Sequence, residues 1–286
     1  MLRRTRPMAL EDFLKNDVRL PVCPIVYIRL SKAMEQPDDT NFSLAEILSS
    51  DLALTSQILR VSNSAVYGLP RQVRSVDEAV FRIGYGEVWA IASALKAKEL
   101  FASSDGKWSR FSMFLWDHAL KTGVLVRALA KAAKCAEAEL LFTSGMLHDV
   151  GKSVLHQISP QYSLLCDSGG LYGRELADRE LDFFGADHAR LGGQLLAYWN
   201  LPDTLVRLVL THHDTPLAGD PLIRLRSLLS LADEMARIAI TPDADGKSTF
   251  ARPLPERILA LSGVSEELCL NIAVTAQKQF EVLVSC

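Results

Sequence analysis

Disulfide chemistry is the first thing this sequence leaves little room for. Its five cysteines, Cys23, Cys135, Cys166, Cys269 and Cys286, are odd in number, widely scattered and free of any Cys-x-x-Cys pair. Neither a disulfide framework nor a thiolate zinc site is indicated, and they read as reduced, mostly structural residues. A dominant charge is missing as well. With 31 Lys and Arg against 34 Asp and Glu the formal charge is only -3, so no strong field draws the chain to nucleic acid. Long apolar runs are absent too: no uncharged stretch approaches the ~18 residues a membrane helix needs, so no membrane span is expected. The basic start, Arg3, Arg4 and Arg6, is not followed by the apolar core and cleavage site of a secretory leader, and a cytoplasmic location is the expectation.

What is present is apolar material, 49% of 286 residues, enough for two lobes. The apolar spacing is helical rather than alternating, which predicts an all-α fold. Val22 to Ile28 is either a short strand or, given Pro21 and Pro24, the beginning of a helix. Ser43-x-x-Glu46 and Ser75-x-x-Glu78 are capping boxes that announce two helix starts. The first helix runs through Leu48 and Leu54 toward Ile58, with Asp51 as a point of interruption, and the second stops at Gly84. Between them, Ile58 to Pro70 mixes small, polar and apolar residues as a close packing site followed by a turn would. Asp105-Gly106-Lys107 is a polar break that places a lobe boundary, and Thr241 to Arg252 reads as a polar loop.

All six histidines lie beyond that break, and five sit where an apolar helix face is expected. His118 shares a face with Leu115, Thr122, Leu125 and Leu129. His188 follows Asp187, a candidate N-cap, and aligns with Leu191, Leu195 and Trp199. His212 and His213 continue the stripe of Leu205, Leu208 and Val209, and Asp233 falls one turn beyond Leu229. Most telling is Leu147-His148-Asp149-Val150-Gly151-Lys152, where an imidazole and a carboxylate stand together at the end of an apolar run. Both are costly to bury unpartnered, and a metal ion satisfies both. Gly151 is expected to end that helix and Lys152 to stay near enough to neutralise an anion. His156 fits a surface or packing role. The charge-alternating stretch Arg174 to Phe184 reads as a solvated face without a site.

Val61-x-Asn63-Ser64-Ala65-x-Tyr67-Gly68, followed by Val73-Arg74-Ser75-Val76-Asp77-Glu78-Ala79-Val80-x-x-Ile83-Gly84, resembles the signature of HDOD domains, helical output modules related to HD phosphohydrolases. The resemblance extends from about Leu20 to Ile240. It implies a helical lobe over residues 1–106, an HD-like metal-binding lobe over 107–241, and C-terminal helices over 242–286 that pack back or offer a partner face. It also implies a ligand set: His118, His148, Asp149 and Asp233 for one ion, and His188, His212 and His213 for a second, with Asp149 bridging. Two divalent transition-metal ions are the implied cofactor, and nitrogen and oxygen donors suit iron, manganese, zinc, cobalt or nickel.

The departures matter equally. After His212-His213 the chain reads Asp214-Thr215-Pro216-Leu217-Ala218-Gly219-Asp220, without the Asp-Gly-x-Gly-Tyr-Pro turn of the cyclic-dinucleotide enzymes. Phe114 stands where relatives with a third ion carry a glutamate. Three readings therefore remain. The leading one is a regulatory module that binds metal and works through a signalling partner or a small phosphorylated ligand. The second is an active phosphohydrolase, with Asp149 and Lys152 in the chemistry. The third is a metal-free helical scaffold.

Overall fold

In the computed structural model of the chain, residue 48 and residues 51–102, 108–168, 171–217, 219–242 and 248–284 are described. The Val22–Ile28 segment, the Ser43–Glu46 box and the Asp105–Lys107 break lie outside them. Asp51 interrupts the first apolar run because its carboxylate accepts the Leu54 amide at 2.9 Å, which caps helix α1, Leu52–Ser62. Asn63 then closes the segment onto itself. Its side-chain oxygen accepts the Val73 amide at 2.7 Å while its amide group donates to the carbonyls of Val73 and Leu59. Ser75 caps α2, Val76–Ile83, and Gly84, at φ 88°, separates it from α3, Tyr85–Phe101.

Helix α4, Arg110–Ala132, is the central element. It packs against α5, Ala138–Leu147, so closely that a Cβ on Gly145 would lie 2.7 Å from the Gly123 Cα, within any real contact distance. The helices α6, Val150–Ile158, and α9, His188–Tyr198, meet in the same way: a Cβ on Gly151 would run into the His188 carbonyl oxygen. Between them come α7, Tyr162–Ser168, and α8, Gly173–Phe184. After α10, Asp203–Leu210, helix α11, Ile223–Arg237, returns to α4, and α12, Glu256–Ser262, and α13, Glu266–Val284, complete the chain.

One apolar core, including Ile58, Trp89, Leu115, Leu147, Leu191 and Leu205, draws on residues from both expected lobes. A second, around Leu129, Leu208, Leu228, Met235, Phe250 and Leu254, joins α4 and α11 to the C-terminal elements. Each buried leucine of this kind contributes about 2 kcal/mol, so the long α4, which serves both cores, is anchored by packing along its length. No single helix among the described residues is long and apolar enough to cross a membrane.

Three local expectations are corrected. Helix α5 ends at Leu147, not at Gly151: Asp149, at φ -99° and ψ 9°, N-caps a new helix, and Gly151 serves the close approach of α9 instead. Helix α10 stops at Leu210, so His212 and His213 occupy the turn after it. The two ends of the expected polar loop pair as short strands, with β1, Ile240–Pro242, antiparallel to β2, Ser248–Phe250.

Candidate metal centre

The break between α5 and α6 lets two adjacent side chains serve different neighbours. His148, at the end of α5, faces α4 and α11: its Nε2 is 3.4 Å from Asp233 Oδ1, and its ring centroid is 5.2 Å from that of His118. Asp149 divides its two oxygens. Oδ2 lies 3.6 Å from His118 Nε2 and 3.4 Å from His148 Nε2, while Oδ1 lies 3.3 Å from His188 Nε2 and 3.9 Å from His212 Nε2. His213 joins the second set, with its Nε2 2.8 Å from that of His188. All seven residues singled out by sequence thus converge, as one group of Asp149, His188, His212 and His213 and one of His118, His148 and Asp233. All are buried except His213, which is half-buried.

Backbone carbonyls fix two of the imidazoles. His148 Nδ1 is 2.8 Å from the Gly145 carbonyl and His212 Nδ1 is 2.7 Å from that of Val209, so these nitrogens carry the protons and donate. The Nε2 lone pairs then point inward, and both are buried without a hydrogen-bond partner, as is Asp149 Oδ1. Orphaned buried polar atoms cost about 1–3 kcal/mol each. Three acceptors orphaned at one place match the donor set of a transition metal, and the residues fit such an ion.

Electrostatics agree with that fit. Burial opposes charge on His148, but Asp149 and Asp233 outweigh it and push its pKa up to about 9; the field at this point favours a cation, and a metal ion would displace the proton that Nε2 otherwise takes up. Burial also opposes ionisation of Asp149 and Asp233, yet His148 and Lys152 hold the first well below the usual carboxylate range, and Arg237 and His118 hold the second there. Burial, chiefly, lowers His118 to about 4, and burial with the neighbouring imidazoles lowers His212 and His213, which keeps these rings neutral as ligands must be. Lys152 Nζ, also buried, donates to Asp149 Oδ2 at 2.7 Å.

Two residues that the sequence did not single out complete the surroundings. Glu180 lies in the stretch expected to be solvated but is fully buried. Its carboxylate accepts from His188 Nδ1 at 2.6 Å, from the His188 amide at 2.7 Å and from the Tyr162 hydroxyl at 2.5 Å. Arg237, one turn after Asp233, approaches Asp233 Oδ1 to 2.7 Å. His156 packs its ring on Phe111, 4.6 Å between centroids, and Phe114 is exposed. A cavity of about 320 Å3 reaches His212, His213 and Asp233 from outside, so a small ligand has access to the cluster.

Comparison with known proteins gives a consistent picture. A family model described as HDOD domain matches residues 20–215. An uncharacterized protein of Treponema pallidum (strain Nichols) is 27% identical over 268 residues, 92% of this chain, which spans 50% of that relative's length. An HDOD domain protein of unknown function from Geobacter sulfurreducens shares the fold with a TM-score of 0.74 at 20% identity, over 96% of this chain and 95% of its own. A candidate phosphohydrolase from Shewanella amazonensis SB2B does so with a TM-score of 0.66 at 22% identity, over 95% of both chains.

Proposed function

The chain belongs to the HDOD domain family, and from that premise we propose that it is a cytoplasmic regulatory module built on a buried centre for two divalent transition-metal ions. The observation that carries this reading is the division of Asp149, whose two oxygens face two separate histidine groups as a bridging carboxylate does. His118, His148 and Asp233 hold one ion, and His188, His212 and His213 hold the other. Iron, manganese, zinc, cobalt and nickel all suit these donors. When bound, such a pair supplies Lewis acidity and lowers the pKa of water.

The chain's own residues do the rest. The Gly145 and Val209 carbonyls set the tautomers of His148 and His212, Glu180 orients His188, and Lys152 holds Asp149. Regulation is favoured over turnover because Lys152 is tied to Asp149, and because the turn after His213 lacks the residues that mark the cyclic-dinucleotide enzymes. The module acts through a signalling protein partner or a small phosphorylated ligand. A phosphohydrolase is the second reading, favoured by the cavity that reaches the cluster and by the resemblance in fold to a candidate phosphohydrolase.

Elemental analysis of native protein, purified without chelators, tests the proposal: two ions per chain are expected, with loss of both in Asp149→Ala and of at least one in His148→Ala. Metal-free wild-type protein would leave only the scaffold reading. Phosphoester turnover abolished by Asp149→Ala would overturn regulation in favour of hydrolysis.

A further inference from the structure

The cavity that reaches the metal centre has walls that the centre itself does not use. Besides His212, His213 and Asp233 it is lined by Arg174, Arg237 and Arg257, and by Asp214 and Glu234, whose carboxylates pair with Arg174 and Arg252. Apolar surface comes from Pro216, Pro255, Ile258 and Leu261. Two of the arginines are already paired: Arg174 with Asp178 and Asp214 at 3.0 and 2.9 Å, and Arg237 with Asp233 at 2.7 Å. Arg257 differs. It donates to the Pro216 carbonyl at 3.2 Å and pairs with no carboxylate among the described residues, which leaves most of its N–H fork available to an anion. Arg257, Ile258 and Leu261 all come from α12, beyond the residues that the family model matches.

We propose that this cavity takes a small phosphoester with a compact apolar group. Its phosphoryl end sits toward His212 and His213, Arg257 makes charge-assisted hydrogen bonds to it, and the organic part lies on Pro255, Ile258 and Leu261. The size is at the lower end of small-molecule sites, roughly 300–1,000 Å3, and inorganic phosphate would leave the apolar wall unused. This rests on the two-ion reading for the phosphoryl end, whereas Arg257 and α12 act on the ligand independently of it.

The test is calorimetric binding of phenylphosphonate and methylphosphonate to the full chain loaded with manganese, with metal content measured on the same samples. Phenylphosphonate is expected to bind about tenfold or more tighter, the scale of a filled apolar wall. Arg257→Gln, at an exposed position, should weaken both ligands about tenfold, and Ile258→Ser should weaken phenylphosphonate alone, with metal content unchanged in each. Equal affinity for the two phosphonates overturns the proposal, and so does unaltered binding in Arg257→Gln that retains its metal. A wild-type chain that takes up no metal overturns the two-ion reading instead. The cavity is then judged on phenylphosphonate alone, where unchanged affinity in Arg257→Gln overturns it and the tenfold loss supports it.

Discussion

Two polar clusters, one buried and one partly buried, hang on the same pair of helices and are built on opposite principles. Helix α4 carries His118 and, nine residues on, Arg127; helix α5 carries Glu139 near its start and runs into His148 at its end. Around Arg127 every group has found a partner. The guanidinium donates to Glu87 at 2.6 Å and to Glu139 at 2.8 and 3.2 Å, while the Tyr67 hydroxyl and the Gln279 amide donate to Glu87 at 2.8 and 2.5 Å. None of these side chains has a buried atom left unpaired, whereas the histidine cluster has three. A network that satisfies itself joins the signature tyrosine to the core. One that leaves lone pairs converging in a cation-favouring field waits for a ligand. The two differ in their accounting of donors and acceptors, which is legible atom by atom.

Breaking the closed cluster should produce the largest effect. Arg127→Met leaves Glu87 and Glu139 without their cation, and removing one partner of a buried pair costs about 3–5 kcal/mol. The lower figure applies, because the Glu139 side chain is 22% exposed and Lys131 stands 3.8 Å from it. Urea unfolding should show a loss of about 3 kcal/mol, while metal bound per folded chain stays at the wild-type level. A loss below about 1 kcal/mol, the value of a surface pair, would mean that the cluster is not the closed structural element described.

The same distinction explains what the sequence disclosed. Histidines and aspartates at apolar helix positions are conspicuous because they are costly to bury, and all seven candidates converge. Glu180 was hidden because a glutamate among alternating charges looks solvated; its burial is created by Tyr162 and His188 arriving from elsewhere in the chain. The available signal was its phase, since Leu176, Ala177 and Glu180 share the buried face of α8. Arg237 was concealed similarly, four residues after Asp233. The ends of α5 and α10 escaped because apolar spacing continues past both, with no glycine or proline at either stop. Strands of three residues, as in β1 and β2, are too short for alternation to register.

Glu180 sharpens the comparison inside the open cluster, because it supports only one of the two ligand sets. Glu180→Gln keeps an acceptor for His188 Nδ1 but removes the charge that raises the basicity of the ring. Partners of this kind are worth about 10–100-fold in metal affinity. Competition titration should show the second equivalent of metal weakened by about that factor and the first unaltered. Equal weakening of both, or of neither, would contradict the division of ligands between His118, His148 and Asp233 on one side and the three remaining histidines on the other.

The smallest expected effect comes from Tyr67→Phe, and its pH dependence is what makes it informative. At neutral pH one hydrogen bond is lost, about 1 kcal/mol, since Glu87 keeps Arg127 and Gln279. Burial, reinforced by the Glu87 charge, holds the Tyr67 phenol well above its ordinary value of 10.0. The folded state therefore keeps this proton where the unfolded chain releases it, so the contribution is complete below about pH 10 and declines as pH rises further. Glu87 has the opposite sign: burial works against its charge, but Arg127 overrides it and lowers the carboxyl, so its contribution is present above the ordinary carboxyl range and is lost in acid. Unfolding midpoints measured from neutrality to about pH 11 should show a shallower alkaline decline in Tyr67→Phe, with Tyr85, Tyr162 and the raised thiols of Cys135, Cys166 and Cys269 contributing to what remains. Identical alkaline slopes would place Tyr67 outside the network. A chelator should leave the difference between the two proteins intact, because a cluster that satisfies itself has no use for the ion its neighbour requires.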